Sequence, residues 1–484
     1  MILPQLPQLP GIEGLANLDF ANFDIGNFDV ANRSLAAAIL VALLAVGSLC
    51  GRGLVLHQWG IPEALIAGAL GLLLAPDGPL PLIPVAVIQL WGQLPLILLT
   101  LVFATLLLGK PLPKPAGLWR PLSAQVLLAL TLAFGQYLVA GLAVLLVLQP
   151  LFGGHPLMAC LIEVAYEGGH GSAAAMGPSY ARLGFPGGEA LGLAMATVGL
   201  LASTLVGGLV VILGRRRGWL TPPPPIPPAP AQASNATFSG SASSSASGSA
   251  AAASRSPGAA WAINLGLAGL AVALGGALLA ILQALAGLIG GGFAAVIEAL
   301  PLFPLAIIGS LLVRFVLERS GRAHLAQQAI QGRVGTLSAD LLITSATACL
   351  DLSLLGRNWL PLTLLALAGL GWNLLVILLL APRILPPDWF ERALIEFGQA
   401  TGVAASGLLL LRMADPQDLS DALPAFSIKQ LLLQPLLAGG VITVVAPLAI
   451  SGWGLPLWTA LSLIVVLVSA GLGLLLASRA VATP

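Results

Sequence analysis

The stretch Glu163–Gly177, EVAYEGGHGSAAAMG, decides how the chain is read. It places Glu163, Glu167 and His170 close together inside an apolar region and follows them with Gly168, Gly169 and Gly171. On a helix Glu163 and Glu167 lie four apart and His170 three further on, so all three share one face. The glycines then end the helix, because glycine takes backbone angles that other residues avoid. A helix broken there leaves carbonyl oxygens for a cation and N–H groups for an anion, and Ser172 adds a hydroxyl. An ionised carboxylate at the centre of a membrane helix costs about 2.5–3.5 kcal/mol on insertion scales. Acids kept at that cost point to a water-filled cavity that binds cations or protons; the plainer alternative is a hydrated, inert position at the mouth of a loop.

The setting of this stretch is a membrane. Of 484 residues, 58% are apolar and only 8% charged, far below the share of charge in soluble domains. The net charge of +1 comes with no basic stripe, which sets nucleic acid aside as a partner. Cys50, Cys160 and Cys349 are far apart in apolar runs and have no metal-ligand spacing, so they read as small core residues. Residues 1–32 contain Glu13, Asp19, Asp24 and Asp29 with Asn17, Asn22, Asn27 and Asn32 recurring every five residues; they read as an acidic low-complexity arm at the membrane surface, with no cleaved signal.

Apolar stretches of spanning length begin near Ser34, Trp91, Ser123, Ala190, Ala259, Leu337, Leu360, Ala422 and Leu455, and shorter ones at Ile61 and Pro301. The Pro run and Ser/Ala/Gly tract at 218–258 cannot bury a core and read as a disordered linker between two halves. Arg52, Lys110, Lys114, Arg120 and the RRR at 215–217 face the cytoplasm if basic loops do. An even number of crossings must then separate Arg120 from Arg215, so the Glu163 segment enters and returns as a re-entrant hairpin. Each half has five crossings, which turns the second half upside down and puts Arg319, Arg322, Arg333, Arg383 and Arg392 on the cytoplasmic side too. Landmarks repeat independently of charge: LIEVAYEGG from Leu161 and LIEFGQATG from Leu394, RLGFP at Arg182 and RMADP at Arg412, VGGLVV at Val206 and AGGVIT at Ala438, at offsets of 233, 230 and 232 residues. Gln136 and Asn373 are polar residues within apolar helices at a similar separation. Inverted repeats with broken glycine-rich segments at matching places are the sequence sign of a secondary transporter with a midplane site.

The matching second hairpin is EFGQATGVAASG, in which Glu396 is the counterpart of Glu163 and Gln399, Thr401, Gly402 and Ser406 supply neutral groups. The expected cation-binding residues are Glu163, Glu167 and Glu396; the expected substrate-binding residues are Gly168, Gly169, His170, Gly171, Ser172, Gln399, Thr401, Gly402 and Ser406. Lys429 either pairs with Glu396 or reaches for the surface. Asp340 and Asp351 read as interfacial at the two ends of one span, with Asp351 paired to Arg357. Arg182 and Arg412 read as surface arginines, and Glu63 as a helix start after proline.

GGHGSAA at Gly168–Ala174, the IPEAL at Ile61 and the glycine/threonine hairpin of the second half resemble the sodium:glutamate symporter family over roughly Arg33–Ile450. The resemblance implies Na⁺-coupled uptake of glutamate by a homodimer in the cell membrane, with two inverted five-helix repeats joined by a cytoplasmic loop and an elevator movement of the transport part. Ser172 stands where the family has Thr, and a last span from about Leu455 is extra. The expected architecture is therefore an all-α polytopic membrane protein with an arm at 1–32, a first repeat at 33–217, the linker at 218–258, an inverted second repeat at 259–450 and the extra span within 451–484. The expected activity is import of glutamate or a related anionic amino acid with Na⁺, alone or together with H⁺, as coupling ion, without a cofactor. Transport of another small carboxylate is the nearer alternative, and a membrane metalloenzyme using Glu163, Glu167 and His170 as ligands the remote one.

Overall fold

The protein is described by a computed structural model that covers residues 30–53, 63–109, 119–220, 257–416 apart from six positions between 292 and 299, and 419–481. The arm as far as residue 29, the linker from 221 to 256, and Lys110 and Lys114 lie outside the described residues. No strand occurs among the described residues. The first half runs through α1 (Val30–Gly53), α2 (Glu63–Leu74), α3 (Val85–Leu106) and α4 (Trp119–Ala143), which continues through a π-turn at Val144–Leu148 to Phe152. A 3₁₀ turn at Pro156–Cys160 leads to α5 (Leu161–Tyr166), α6 (Gly169–Ala175), α7 (Gly177–Arg182) and the long α8 (Gly188–Arg217). The second half has α9 (Pro257–Ile289), α10 (Leu302–Arg319), α11 (Gln328–Ala348), α12 (Leu352–Arg357) and α13 (Trp359–Leu375), which passes through a second π-turn at Val376–Leu380 to Ile384. Then follow α14 (Trp389–Thr401), α15 (Ala404–Ala414), α16 (Ala422–Leu433), α17 (Val441–Trp453) and α18 (Leu455–Val481).

Seven described stretches are long and apolar enough to cross a bilayer: Ala31–Gly51, Val85–Leu106, Leu122–Phe152, Gly188–Arg217, Gly258–Ile289, Trp359–Ile384 and Leu455–Ser478. Their outward faces are apolar, with Leu49, Leu209, Leu367 and Leu467 all exposed, as expected of surfaces that meet lipid rather than water. Two expected spans differ. The span read from Leu337 belongs to α11, which begins at Gln328, so Asp340 lies in mid-helix and not at an end. The span read from Ala422 is two short helices, because Pro435 removes a donor and Ala438 and Gly439 turn left-handed at φ 54° and 93°. AGGVIT therefore marks a break, while its sequence counterpart VGGLVV lies inside the continuous α8.

Two backbone features do recur at the spacing of the sequence landmarks. The π-turns begin 232 residues apart. The helix interruptions at Gly169 and Gly402 are 233 residues apart. Packing sorts the helices into two bundles, each drawing on both halves: α1–α3 lie against α9–α11, while α4, α5 and α8 lie against α13–α16 and α18. In the first bundle small residues let backbones approach: a Cβ on Gly68 would stand 2.6 Å from Thr347 Cβ, and one on Gly71 2.7 Å from Ala348 Cβ. In the second, α18 runs along α4, where Thr131 and Ser469 join their hydroxyls at 2.8 Å.

Candidate functional site

The two helix interruptions meet. Gly169 is left-handed at φ 68°, and a Cβ placed on it would come within 2.8 Å of Val403 Cγ1 and 3.9 Å of the Gly402 carbonyl. On the other side α14 ends at Thr401, Val403 is extended, and α15 starts with no side-chain cap. The interruption at the end of α14 frees carbonyls that a continuing helix would have used. Gln136 Nε2 and Asn373 Nδ2 both donate to the Ala400 carbonyl, at 2.6 and 2.7 Å, and Asn373 also reaches Thr401 Oγ1 at 3.0 Å. The two polar residues singled out in sequence thus share one task, fastening the end of α14, and also touch each other at 3.2 Å.

That sharing makes their substitutions interdependent. Asn373→Leu or Gln136→Leu alone leaves the Ala400 carbonyl one donor, and each is expected to cost about 1 kcal/mol, within the range of interhelical hydrogen bonds in membranes. The double variant orphans the carbonyl and adds about 1–3 kcal/mol beyond the sum. A double-mutant cycle on unfolding in detergent measures the coupling, and strict additivity would remove the shared role.

Glu163 is wholly buried and ties three elements together. Its Oε2 accepts from the Tyr137 hydroxyl of α4 at 2.6 Å; its Oε1 accepts from Thr443 Oγ1 at 3.0 Å and from the Ala438 N–H at 3.3 Å. All three donors are neutral, and two of them come from the broken α16–α17 segment. Sequence reasoning found Glu163 but neither Tyr137 nor the break that places Ala438 against it.

Glu396 is held differently. Its Oε1 accepts from Gln125 Nε2 at 2.7 Å and its Oε2 pairs with Lys429 Nζ at 2.8 Å, with both charged side chains buried. Of the two readings of Lys429, pairing is the one found. Lys429 also donates to Gln430 Oε1 at 3.0 Å and Gln399 Oε1 at 3.2 Å. Beside it lies a cavity of about 10 Å³, the room of one water centre, lined among others by Glu167, Gln399, Lys429, Gln430 and Gln434. Gln430 near the end of α16 donates to Gln434 just past it, a spacing visible in the sequence as KQLLLQ.

The remaining expected residues separate into those near the meeting point and those turned away. Ser172 Oγ is buried with no hydrogen-bond partner among the described residues and would overlap a Cβ placed on Gly168 or Gly439. Ser406 Oγ is 3.0 Å from a Cβ placed on Gly402, and Ser203 crowds the same position from α8. Gly171 packs against Leu99. His170 does not share a face with Glu163 and Glu167: the left-handed Gly169 starts a new helix, and His170 Nε2 meets Thr197 Oγ1 of α8 at 2.9 Å. Among the described residues no three His, Cys, Asp or Glu side chains are placed to hold a metal ion. Arg412 is exposed, and Arg182 bonds to the Pro178 carbonyl at the surface. Asp351 caps α12, accepting from the Ser353 and Leu354 N–H groups and the Ser353 hydroxyl, and the charge of Arg357 acts on it as well. The Leu354 N–H and the Ser353 hydroxyl hold its carboxyl below the usual range.

Buried acids, carboxamides and two interrupted helices thus gather inside a multi-span bundle, and one known family is similar to part of the chain. Residues 27–217 match the sodium/glutamate symporter family. The matched stretch is similar to sodium/glutamate symporters, a family of multi-pass membrane transporters and not of enzymes, and the seven candidate spans agree with that likeness. It covers α1 to α8, including Glu163, Glu167 and the GGHGS segment, and ends where α8 closes the first half. No curated protein and no solved structure matches the chain.

Proposed function

We propose that the chain imports glutamate or a related anionic amino acid by alternating access, that the segments around Gly169 and Gly402 are re-entrant hairpins of two inverted repeats, and that the site lies where they meet. The observation that carries this reading is the contact of Gly169 with Gly402 and Val403, two interruptions from opposite halves of the chain, beside a cavity that Glu167 lines. Gly168–Ser172 and Gln399–Gly402 with Ser406 would hold the substrate through backbone and hydroxyl groups, and Glu167 at the cavity would hold Na⁺. Inward movement of each positive charge supplies about 2.3 kcal/mol per 100 mV, the source of the energy for accumulation. The bundle that carries both interruptions would move as a body against the other, in an elevator fashion, within a homodimer of the cell membrane whose linker is cytoplasmic.

Labelled glutamate uptake into proteoliposomes tests the reading. An inward Na⁺ gradient should drive accumulation above equilibration, and replacing Na⁺ with choline should abolish it. Equal uptake under both conditions would sink the Na⁺ coupling. A small carboxylate is the second reading, favoured by Glu167, a carboxyl at the cavity that would repel a second substrate carboxylate when ionised. Thermal stabilisation by a panel of amino and dicarboxylic acids, with and without Na⁺, separates the two.

A further inference from the structure

The surroundings of Lys429 are those of a bound cation. Its ammonium lies 2.8 Å from a carboxylate oxygen of Glu396, 3.0 Å from the amide oxygen of Gln430 and 3.2 Å from that of Gln399. The ammonium also stands over the ring of Phe426, 4.5 Å from its centroid. Hard oxygen donors with an aromatic face form a set that suits a small monovalent cation as well as an ammonium. The three N–H donors of Lys429 match the three oxygens, so the group has no donor left over. Gln125 occupies the other oxygen of Glu396, so the carboxylate is engaged on both sides.

We propose that Lys429 is a tethered cation: its ammonium fills a monovalent-cation site centred on Glu396, so that Glu396 takes no mobile coupling ion in this chain. The mobile ion then falls to Glu167, which lines the adjoining cavity. The alternative role, direct capture of a substrate carboxylate by Lys429, would require the ammonium to leave three acceptors and strand Glu396 in an apolar interior. The ion-site proposal is tested without transport; only its consequence for coupling rests on the transport reading above.

The experiment is thermal unfolding of the purified full-length protein in detergent, titrated with NaCl and with KCl against choline chloride at equal ionic strength. Lys429→Ala should acquire a saturable stabilisation by Na⁺ or K⁺ beyond any that the unaltered protein shows, because a free ion now enters the vacated cage. Glu396→Gln/Lys429→Ala, which needs no charge at the site, should lose that added stabilisation, and Lys429→Arg should respond as the unaltered protein does. A Lys429→Ala titration superimposable on that of the unaltered protein would overturn the proposal, as would added stabilisation that survives in the double variant. If Lys429→Ala fails to fold in every salt, the cage accepts no free ion and the proposal fails too, whether or not the double variant folds. In proteoliposomes the Hill slope for Na⁺ should rise by about one in Lys429→Ala if uptake is cooperative in the ions bound. Absence of uptake by the unaltered protein would defeat the transport reading and leave the salt titration standing.

Discussion

Glu396→Gln should lower the unfolding free energy by about 3–5 kcal/mol, the cost of removing one partner from a buried ion pair. The size follows from burial: Glu396 and Lys429 are each 2% exposed, so the stranded ammonium has only the small adjoining cavity to turn to. Gln399 and Gln430 would still accept from it, but amide oxygens carry no charge to balance it. Glu396→Gln/Lys429→Met removes both charges and should recover most of the loss, since a buried pair replaced by neutral groups of similar volume is often close to neutral in stability. The comparison separates charge from shape. Chemical unfolding in detergent followed by tryptophan fluorescence supplies the measurement; a single variant no less stable than the double would show that the pair is not what holds α14 to α16.

A second large effect is expected at the meeting of the helix interruptions. Gly169→Val should reduce uptake by about a hundredfold, the scale associated with displacing a positioned group by 1 Å. Two costs combine there. A left-handed residue with a side chain costs roughly 1–2 kcal/mol in backbone strain, and its Cβ would approach Val403 Cγ1 to 2.8 Å. Gly184→Ala isolates the first cost, because Gly184 is also left-handed at φ 82° but has open space around its Cβ position. That control should lose stability and keep uptake. Val403→Ala placed on Gly169→Ala should restore part of the activity by relieving the contact. Equal activity of Gly169→Val and Gly184→Ala would separate the close approach of the two segments from transport.

Much of this site was legible before any fold was known, because a charged or amide side chain is costly inside an apolar helix and so stands out. Glu163, Glu167, Glu396, Gln136, Asn373 and Lys429 were all visible in that way. The break at the first hairpin was legible from its glycines. What failed was inference across the break: His170 was placed on the face of Glu163 and Glu167 by counting along one continuous helix, whereas the turn at Gly169 sends it to Thr197. At Asp351 the charge of Arg357 was legible six residues away, but the N–H groups at the start of α12, which hold the carboxylate more closely, were not.

The sequence by itself determined that the chain lives in a membrane, that its described core is helical, and where the costly polar groups lie. Those properties follow from local rules, hydropathy per residue and the backbone freedom of glycine, which need no knowledge of neighbours distant in the chain. Only the tertiary structure decided who compensates whom: that Tyr137 and the broken α16–α17 segment answer Glu163, that Lys429 and Gln125 answer Glu396, and that helices of both halves are shared between two bundles. These partners lie up to 280 residues away and are selected by close packing, in which each buried polar group must find whatever donor or acceptor the facing helix presents.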